Sequence, residues 1–410
     1  MHLRPILVSL RRNKAGAVLA VVQIALTSAI LANVLSIVAG RTVLITRPTG
    51  TQEHDLFALG YRLTRGVATM STLEADLKVI RDRTGVADAI ATNSYPLRAG
   101  GWLNSGVSLI PNALSASQQS AHTAVYEMDQ HGVGTLGLKL VEGRNFAATE
   151  IEQGHLSNGP APAVALLSKS LARQLFPHGP ALGKLIYLTA DPQKPISIIG
   201  VVERLQSPAA ARTIDEHESE NSIILPVVSS GPIGLFVIRA KPGTLDGTMR
   251  DVQNALFKVN PNRIFGKLRP FDEIRHTAYQ KDRAIAIALS MISLILVAIT
   301  VFAIVGLTSF WVLRRRPQIG LRRAMGATRP EIVRYFLIEN ALLCTAGVVL
   351  GAIASHGLST WLWSRYGTDP LPVSEILISA VLVLALGQGA ATLPALRAAR
   401  TSPSDALRAL

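Results

Sequence analysis

The chain has 410 residues, of which 49% are hydrophobic and only 17% charged, and its formal net charge is +14 at pH 7. This balance excludes an ordinary soluble enzyme and indicates a membrane protein with a soluble part of substantial size. Twelve of the fourteen net charges lie in three short segments, residues 1–14, 314–334 and 397–410. Each segment borders an apolar run, where positive charge sets topology and meets anionic lipid. The charge therefore predicts the lipid bilayer as a partner, and no nucleic acid.

Four apolar runs are long enough to cross a bilayer, whose ~30 Å hydrocarbon core takes about twenty helical residues. We predict transmembrane helices at residues 15–40, 284–313, 340–364 and 376–396. Because arginines crowd the loop between the second and third runs, the positive-inside bias puts this loop and both termini in the cytoplasm. Residues 41–283 then lie on the extracytoplasmic side of a multi-pass protein of the cell (inner) membrane.

The amino-terminal segment, residues 1–14, has its apolar residues mostly on one helical face and its arginines mostly off it. We assign it to a cytoplasmic amphipathic segment, although a merely basic flank fits the same residues equally well. The uncharged run that follows is longer than the apolar core of a secretory signal, so we interpret it as a retained membrane helix.

Residues 41–283 contain no membrane-length run and predict a large mixed α/β domain. Strand–helix–strand patterns occur at both of its ends, at about 50–99 and 231–270, with apolar residues at three- and four-residue steps in each helix. We predict one α/β part closed by both ends of the segment. The stretch between them, about 100–230, predicts a β-rich insertion.

Two finer predictions concern the helices of this domain. Ser71 and Glu74 have the spacing of a capping box at the start of the first helix. Residues 271–283 predict a stalk helix that runs without a break into the second span, giving one helix of over forty residues.

We find no catalytic, cofactor-binding or metal-binding motif in the sequence. The nine histidines form no HxxxH or HExxH pair, and the single cysteine, Cys344, lies in an apolar run. Gly179 and the pair Gly183-Lys184 approximate a P-loop, but three residues separate the glycines and Leu185 follows the lysine. We interpret that stretch as a surface turn and predict that the chain is not itself an enzyme.

The arginine-rich loop, residues 314–339, has more internal pattern than topology requires. Residues 319–325 predict a short helix, and Gly326 predicts a left-handed stop after it. Thr328 and Glu331 have capping-box spacing at the start of the next helix. We predict that the loop contacts a cytoplasmic partner, the alternative being that its arginines only set topology.

Several stretches resemble the MacB/FtsX-type ABC transporter permeases, the mechanotransmission class. QIGLRRAMGATRPEIVRYFLIE, at 318–339, is similar to their cytoplasmic EIGxxRAxGAxxxxI and FLxE loop. PALRAARTSPSDALR, at 394–408, is similar to their PAxxAAxxxPxEALR tail. VSLRRNKAG, GLKLVEGRNF and SKSLARQLFPHGPALGKLIYL are supportive. Gln318 and Asp405 both stand where the family usually has Glu.

The resemblance implies an α-helical membrane protein with four transmembrane helices and a MacB-like extracytoplasmic domain with Porter-like and Sabre-like parts. It implies a permease-only subunit that binds no cofactor, works with an ABC ATPase dimer that uses ATP and Mg, and pairs with a second permease copy or a paralogue. It leaves open a periplasmic adaptor and an outer-membrane channel.

The function it implies is coupling of ATP hydrolysis to conformational work on the extracytoplasmic side, with export or efflux of a peptide, drug or envelope substrate. The alternative is a membrane-anchored receptor or scaffold, or a regulator of envelope remodelling without transport. The predicted ATPase-coupling residues are Gln318, Ile319, Gly320, Leu321, Arg322, Arg323, Ala324, Gly326, Ala327 and Thr328, with a secondary cytoplasmic contact at Arg397, Arg400, Pro403 and Asp405.

Overall fold

The computed structural model describes residues 14–98, 103–112, 120–154, 161–209, 219–366 and 370–400. The chain divides into two compact units. The helical unit comprises Met1–Val43 and Asp282–Leu410, and the α/β unit comprises Leu44–Lys281.

The helices and strands follow in chain order. The helices are α1 (Lys14–Thr46), α2 (Met70–Arg81), α3 (Gly132–Leu136), α4 (Lys169–Leu175), α5 (Leu245–Val259), α6 (Phe271–Ala278), α7 (Gln280–Arg314), α8 (Arg316–Ala324), α9 (Arg329–Tyr366) and α10 (Val373–Ala399). The strands are β1 (Leu56–Leu63), β2 (Val86–Ala91), β3 (Leu103–Ser108), β4 (Ser120–Glu127), β5 (Leu140–Gly143), β6 (Glu152–Gln153), β7 (Val164–Ser168), β8 (Leu185–Leu188), β9 (Asp191–Val202), β10 (Ser222–Leu225), β11 (Val227–Val228), β12 (Ile233–Ala240), β13 (Arg263–Phe265) and β14 (Arg269–Pro270).

Four helices of the described chain, α1, α7, α9 and α10, are long and apolar enough to cross a membrane. Each contains one of the four apolar runs. Small and polar residues bring them together: the Thr27 and Thr300 hydroxyls of α1 and α7 lie 2.7 Å apart. Asn340 of α9 donates its amide to the Gly387 carbonyl of α10 at 2.9 Å. Interhelical hydrogen bonds and close backbone approach are what hold helices together in lipid, where apolar burial gives no drive.

The α/β unit contains an antiparallel sheet in the order β13-β1-β12-β2, with β14 also paired to β1. Strand β1 comes from the first end of the unit and β12 from its far end. They pair over nearly their full lengths, from Leu56 opposite Arg239 to Arg62 opposite Ile233. The two ends of this long segment therefore share one sheet, and the residues between them form an insertion.

Both faces of this sheet are buried. Phe57 and Leu59 of β1 pack in the same apolar cluster as Leu77 of α2 and Leu256 of α5. The alternate residues, Leu56 among them, pack in a second cluster with strands of the insertion. Period-two alternation sends successive side chains to opposite faces, and each large apolar side chain buried contributes about 1.5–3 kcal/mol.

The insertion forms a sheet whose hydrogen-bonded order closes on itself: β9-β7-β10-β4-β3-β8 and back to β9, with β5 added beside β9. One face of each strand points into a shared apolar core. Its members include Val107, Val125, Leu167, Ile186, Ile198 and Ile223, one from each strand of the ring. The opposite face of several strands packs toward the antiparallel sheet.

A glycine at the end of β5 allows the close approach of β9. Gly143 has φ +75°, and a Cβ there would lie 2.1 Å from the Ile199 carbonyl oxygen. Gly183 has nearly the same φ, +76°, but no atom lies within 4 Å of its Cβ position. Substitutions at Gly143 and Gly183 therefore distinguish two costs: that of a side chain on a left-handed backbone, which both share, and that of a clash with Ile199, which only Gly143 has.

We therefore expect Gly183→Ala to destabilise the protein by about 1–2 kcal/mol, the cost of a side chain in the left-handed region. Gly143→Ala should cost roughly 1–3 kcal/mol more, because the strands must also move apart. Thermal unfolding of the two purified variants in one detergent measures the difference. Equal losses of stability would contradict the close approach of Ile199.

Two of the sequence predictions for this unit are wrong. The helix-capping hydroxyl is that of Thr69, which accepts from the Thr72 N–H at 3.3 Å, and Ser71 lies in the first turn. The helix begins earlier because Met70 packs against the apolar cluster on that face of the sheet. The helix expected to run on from residue 271 is broken at Tyr279, with φ −101° and ψ 11°, because the fully buried Tyr279 ring anchors that residue in the core.

Arg275 of α6 caps the end of α1. Its Nη1 donates to the Ile45 and Arg47 carbonyls at 3.1 Å, where the last carbonyls of a helix lack intrahelical donors. Its Nε donates to Glu53 at 2.7 Å, and the Thr49 hydroxyl donates to the same carboxylate at 2.5 Å. Burial raises the pKa of Glu53, but the hydrogen bonds from Arg275 and Thr49 and the arginine charge outweigh it, so the pKa is lowered.

This lowered pKa makes the stability of the α/β unit depend on acid pH. A carboxyl whose pKa is lower when folded stabilises the fold above its unfolded pKa of about 4.3, and the contribution is lost as pH falls through the folded value. We expect the unfolding temperature to fall below pH ~4.3, and to fall less steeply in Glu53→Gln. The exposed Glu74→Gln is the control and should keep the wild-type slope.

Candidate functional site

The arginine-rich loop folds as a short helix between two membrane-length helices. α7 ends at Arg314, α8 begins at Arg316, and Arg315 is the single residue between them. The Arg315 N–H still donates to the Trp311 and Val312 carbonyls at 3.1 and 3.2 Å. The interruption at Arg315 therefore leaves this backbone donor satisfied.

A buried ion pair joins the junction of α7 and α8 to α9. The Arg315 guanidinium donates to both oxygens of Glu339 on α9, at 2.8 and 3.1 Å, and lies 5.8 Å from the centre of the Trp311 ring. The Glu339 side chain is 1% exposed and the Arg315 side chain 17%. Two parallel N–H···O bonds of this kind hold both partners in one orientation.

Ile319 of α8 packs against the membrane helices. Ile319 is 6% exposed and shares an apolar cluster with Val312 of α7, Phe336 of α9 and Ala398 of α10. Three different helix ends therefore meet beneath α8. A displacement of α8 would therefore be transmitted to all three helix ends, because packed protein interiors are compressed very little.

The other face of α8 is exposed and carries apolar side chains. Leu321 is 57% exposed and Met325, directly after the helix, is 72% exposed. The Met325 N–H donates to the Leu321 carbonyl at 3.0 Å, so the two residues lie one turn apart on the same side. The surrounding arginines Arg314, Arg316 and Arg329 are also exposed.

The turn after α8 follows the predicted pattern. Gly326 has φ +100°, the left-handed backbone expected of a helix stop. The Thr328 N–H donates to the Glu331 carboxylate at 3.0 Å, which is one of the two bonds of a capping box. The prediction for Gly326 is confirmed, and that for Thr328 and Glu331 is confirmed for this bond.

The predicted coupling residues fall on one continuous stretch. Gln318, Ile319, Gly320, Leu321, Arg322, Arg323 and Ala324 lie in α8, and Gly326, Ala327 and Thr328 form the turn after it. Gln318 is exposed, whereas Ile319 and Gly320 are buried. The side chains of Arg322, Arg323 and Ala324 lie outside the described set.

The predicted secondary contact lies at the end of α10. Arg397 lies in the last turn of this helix, Arg400 caps it, and both are exposed. Pro403 and Asp405 lie outside the described residues.

Three residues of the site were missed in the sequence: Arg315, Glu339 and Met325. Arg315 is one of three consecutive arginines, and nothing in the sequence distinguishes it from Arg314 and Arg316. The available signal was Glu339, an acid at the border of an apolar run, which needs a partner if it is buried. Within the described ranges, no group of three or more His, Cys, Asp or Glu side chains could hold a metal ion.

The fold and this loop define a class of protein: a membrane protein with four apolar helices, a large α/β unit and a helix exposed at the arginine-rich end of the membrane helices. Two family models match it. The MacB-like periplasmic core domain matches residues 16–255, more than half of the chain, and the FtsX-like permease C-terminal model matches residues 290–403. The chain therefore belongs to the MacB/FtsX-type family of ABC permeases.

Among curated proteins, the chain is 26% identical to the macrolide export ATP-binding/permease protein MacB of Chromobacterium violaceum over 281 residues, 66% of this chain and 41% of that protein. It is 25% identical to the protein of the same name from Neisseria meningitidis serogroup B over 335 residues, 78% of this chain and 48% of that protein. The chain thus spans a little under half the length of these relatives.

Solved structures of low similarity were also found. The periplasmic region of MacB from Actinobacillus actinomycetemcomitans aligns over 57% of this chain and 96% of its own, with 14% identity and a TM-score of 0.36. The extracellular domain of the noncanonic ABC-type transporter YknZ from Gram-positive bacteria aligns over 51% of this chain and 100% of its own, with 12% identity and a TM-score of 0.33.

Proposed function

We propose that this chain is the permease subunit of an ABC transporter, and that α8 is the element through which a separate ATPase dimer moves it. The arginine-rich end and both termini lie in the cytoplasm in this proposal, and the α/β unit lies outside. ATP and Mg are bound by the ATPase, which is reached from the cytoplasm. A second permease copy or a paralogue completes the assembly.

The observation that carries this proposal is the two-sided character of α8. On one side, the buried Ile319 packs on the ends of three membrane helices. On the other side, Leu321 and Met325 are exposed and could contact a partner protein. A helix presented as an apolar ridge suits an apolar groove on another protein, a recurrent mode of helix recognition. Force applied to the outer face would reach α7, α9 and α10 through the inner one.

The substrate class that we propose is based on similarity to the family, and not on a cavity in the structure. The relatives carry the name macrolide export ATP-binding/permease protein. We propose export or efflux of a peptide, drug or envelope substrate, worked on by the α/β unit on the extracytoplasmic side. A periplasmic adaptor and an outer-membrane channel would complete the route in a cell with two membranes.

Co-purification tests the proposed function. We expect the tagged chain to retain an ABC ATPase through purification and the complex to hydrolyse ATP. Leu321→Asp should release the ATPase, because a charge must be desolvated in the apolar contact. Val373→Asp is the matched control: it is 65% exposed, at the other end of α10, and should keep the ATPase. Equal retention of the ATPase by both variants would contradict the role of α8. If the wild-type chain purified without any ATPase, the alternative function of a receptor or scaffold would be favoured.

A further inference from the structure

A groove of about 660 Å³ lies between α9 and α10 at their arginine-rich ends. Its mouth carries three arginines: Arg329 and Arg334 of α9, and Arg400 after α10. Its wall is apolar and includes Leu337 and Leu396. The volume lies within the range of small-molecule sites, which take ligands buried over most of their surface.

The charge at the mouth has no acidic counterpart in the groove. No Asp or Glu belongs to its described lining. The nearest acids along α9 are engaged elsewhere: Glu331 accepts from the Thr328 N–H, and Glu339 accepts from Arg315. Three positive charges around an apolar wall leave this site complementary to an anion.

The backbone adds to this complementarity. Arg329 is the first residue of α9, where the helix dipole is positive and a basic side chain is unfavourable. An anion placed there would be stabilised both by the positive end of the helix dipole and by the arginines. Guanidinium groups are among the donors from which phosphate oxygens accept the strongest hydrogen bonds.

The position of the groove selects among anions. Its apolar wall continues along α9 to Ala341, inside a helix long enough to cross the membrane. A ligand that fills it must be apolar at one end and anionic at the other. A phospholipid of the inner leaflet has both parts, and basic residues at the cytoplasmic end of a membrane helix attract anionic headgroups.

We propose that this groove is a binding site for one anionic phospholipid, whose headgroup phosphate is held by Arg329, Arg334 and Arg400 and whose acyl chain lies along Leu337 and Leu396. In this proposal Arg400 binds a lipid headgroup, whereas the sequence analysis predicts that it contacts a cytoplasmic protein. The proposal does not depend on an ATPase binding to α8.

Native mass spectrometry of the full chain in detergent tests the site, with phosphatidylglycerol and phosphatidylcholine of identical acyl chains as probes. Each arginine near a headgroup contributes roughly fivefold to the affinity. We expect phosphatidylglycerol to bind at least about tenfold more tightly, and R329Q/R334Q/R400Q to lose this preference. The control R314Q/R316Q/R397Q removes the same charge from exposed arginines outside the groove and should keep the preference.

A second variant guards against misfolding of the triple substitution. Ala341→Phe fills the apolar end of the groove without changing any charge and should weaken both lipids, phosphatidylglycerol by about tenfold or more, since the acyl chain loses its place. Equal affinity of the wild type for the two lipids would overturn the proposal, as would an equal loss in the control triple variant. Competition by soluble glycerol phosphate at the same concentration, with Ala341→Phe unaffected, would show a free-phosphate site and also overturn it.

Discussion

Replacing Arg315 by methionine is expected to lower the free energy of unfolding of the helical unit by about 3–5 kcal/mol, the range measured when one partner of a buried ion pair is removed. The substitution takes the guanidinium away from Glu339, whose side chain is 1% exposed. It also removes the contact that fixes the junction of α7 and α8. Titration with sodium dodecyl sulfate in mixed micelles measures the loss.

The neighbouring Arg314→Met is the matched control. Arg314 lies 4.7 Å from the centre of the Phe310 ring but is exposed, so its removal should cost less than about 1 kcal/mol. The double variant R315M/E339M should recover most of the stability, because it leaves no buried charge behind. Equal losses for Arg314→Met and Arg315→Met would contradict the buried pair.

Replacing Arg263 by methionine is expected to produce a loss of similar size in the α/β unit, about 3–5 kcal/mol. Its Nη2 donates to both oxygens of Asp76 at 2.8 and 2.6 Å, and both side chains are fully buried. Burial raises the pKa of the Asp76 carboxyl, although the Arg263 hydrogen bonds and charge oppose this. Native-state hydrogen exchange of β1 reports the opening free energy of the sheet that this pair holds.

The control for this pair is Arg62→Met on the neighbouring strand. Arg62 is exposed and opposite Ile264, and surface substitutions of this kind usually change stability by within about 0.5 kcal/mol. The double substitution D76L/R263M should be close to neutral, since a well-packed apolar pair often replaces a buried ion pair without loss. Unchanged exchange in Arg263→Met would show that the pair does not hold the two ends of the unit together.

The elements that the sequence revealed are those governed by local pattern. An uncharged run of membrane length is sufficient to locate a long apolar helix, and three- and four-residue spacing locates α5 closely. Gly326 could be assigned because a short helix, a glycine and a capping pair follow one another within a few residues. The strand–helix–strand pattern at both ends of the α/β unit pointed to the shared sheet, since strands that lack a neighbour in sequence must find one elsewhere.

The contacts that the sequence concealed are those between residues far apart. Asp76 reads as one more charged residue on a helix surface, and only the fold brings Arg263 to it across 187 positions. The break at Tyr279 was hidden for the same reason, because helix propensity continues through it and burial in the core decides. Met325 was missed because it stands at a variable position of the phrase that resembles the family loop, between Ala324 and Gly326, and exposure is not readable from composition.

The lipid groove and the outer face of α8 lie at the same end of the helical unit but are formed by different residues. The groove depends on Arg329 and Arg334, whereas the exposed ridge of α8 depends on Leu321 and Met325. Substitutions in one set should therefore leave the ligand of the other in place. If R329Q/R334Q released the ATPase as well as the lipid, the two sites would be one.

We expect α8 to touch the ATPase directly. Site-directed cross-linking tests it most directly, because Cys344 is the chain's single cysteine and is fully buried, so a new cysteine is the reactive one. Leu321→Cys, with a thiol-directed photocross-linker, should join the chain to its ABC ATPase in native membranes, and Val373→Cys should not. Cross-linking from position 373 as strong as from position 321, or none from position 321 while the ATPase still co-purifies, would contradict the account.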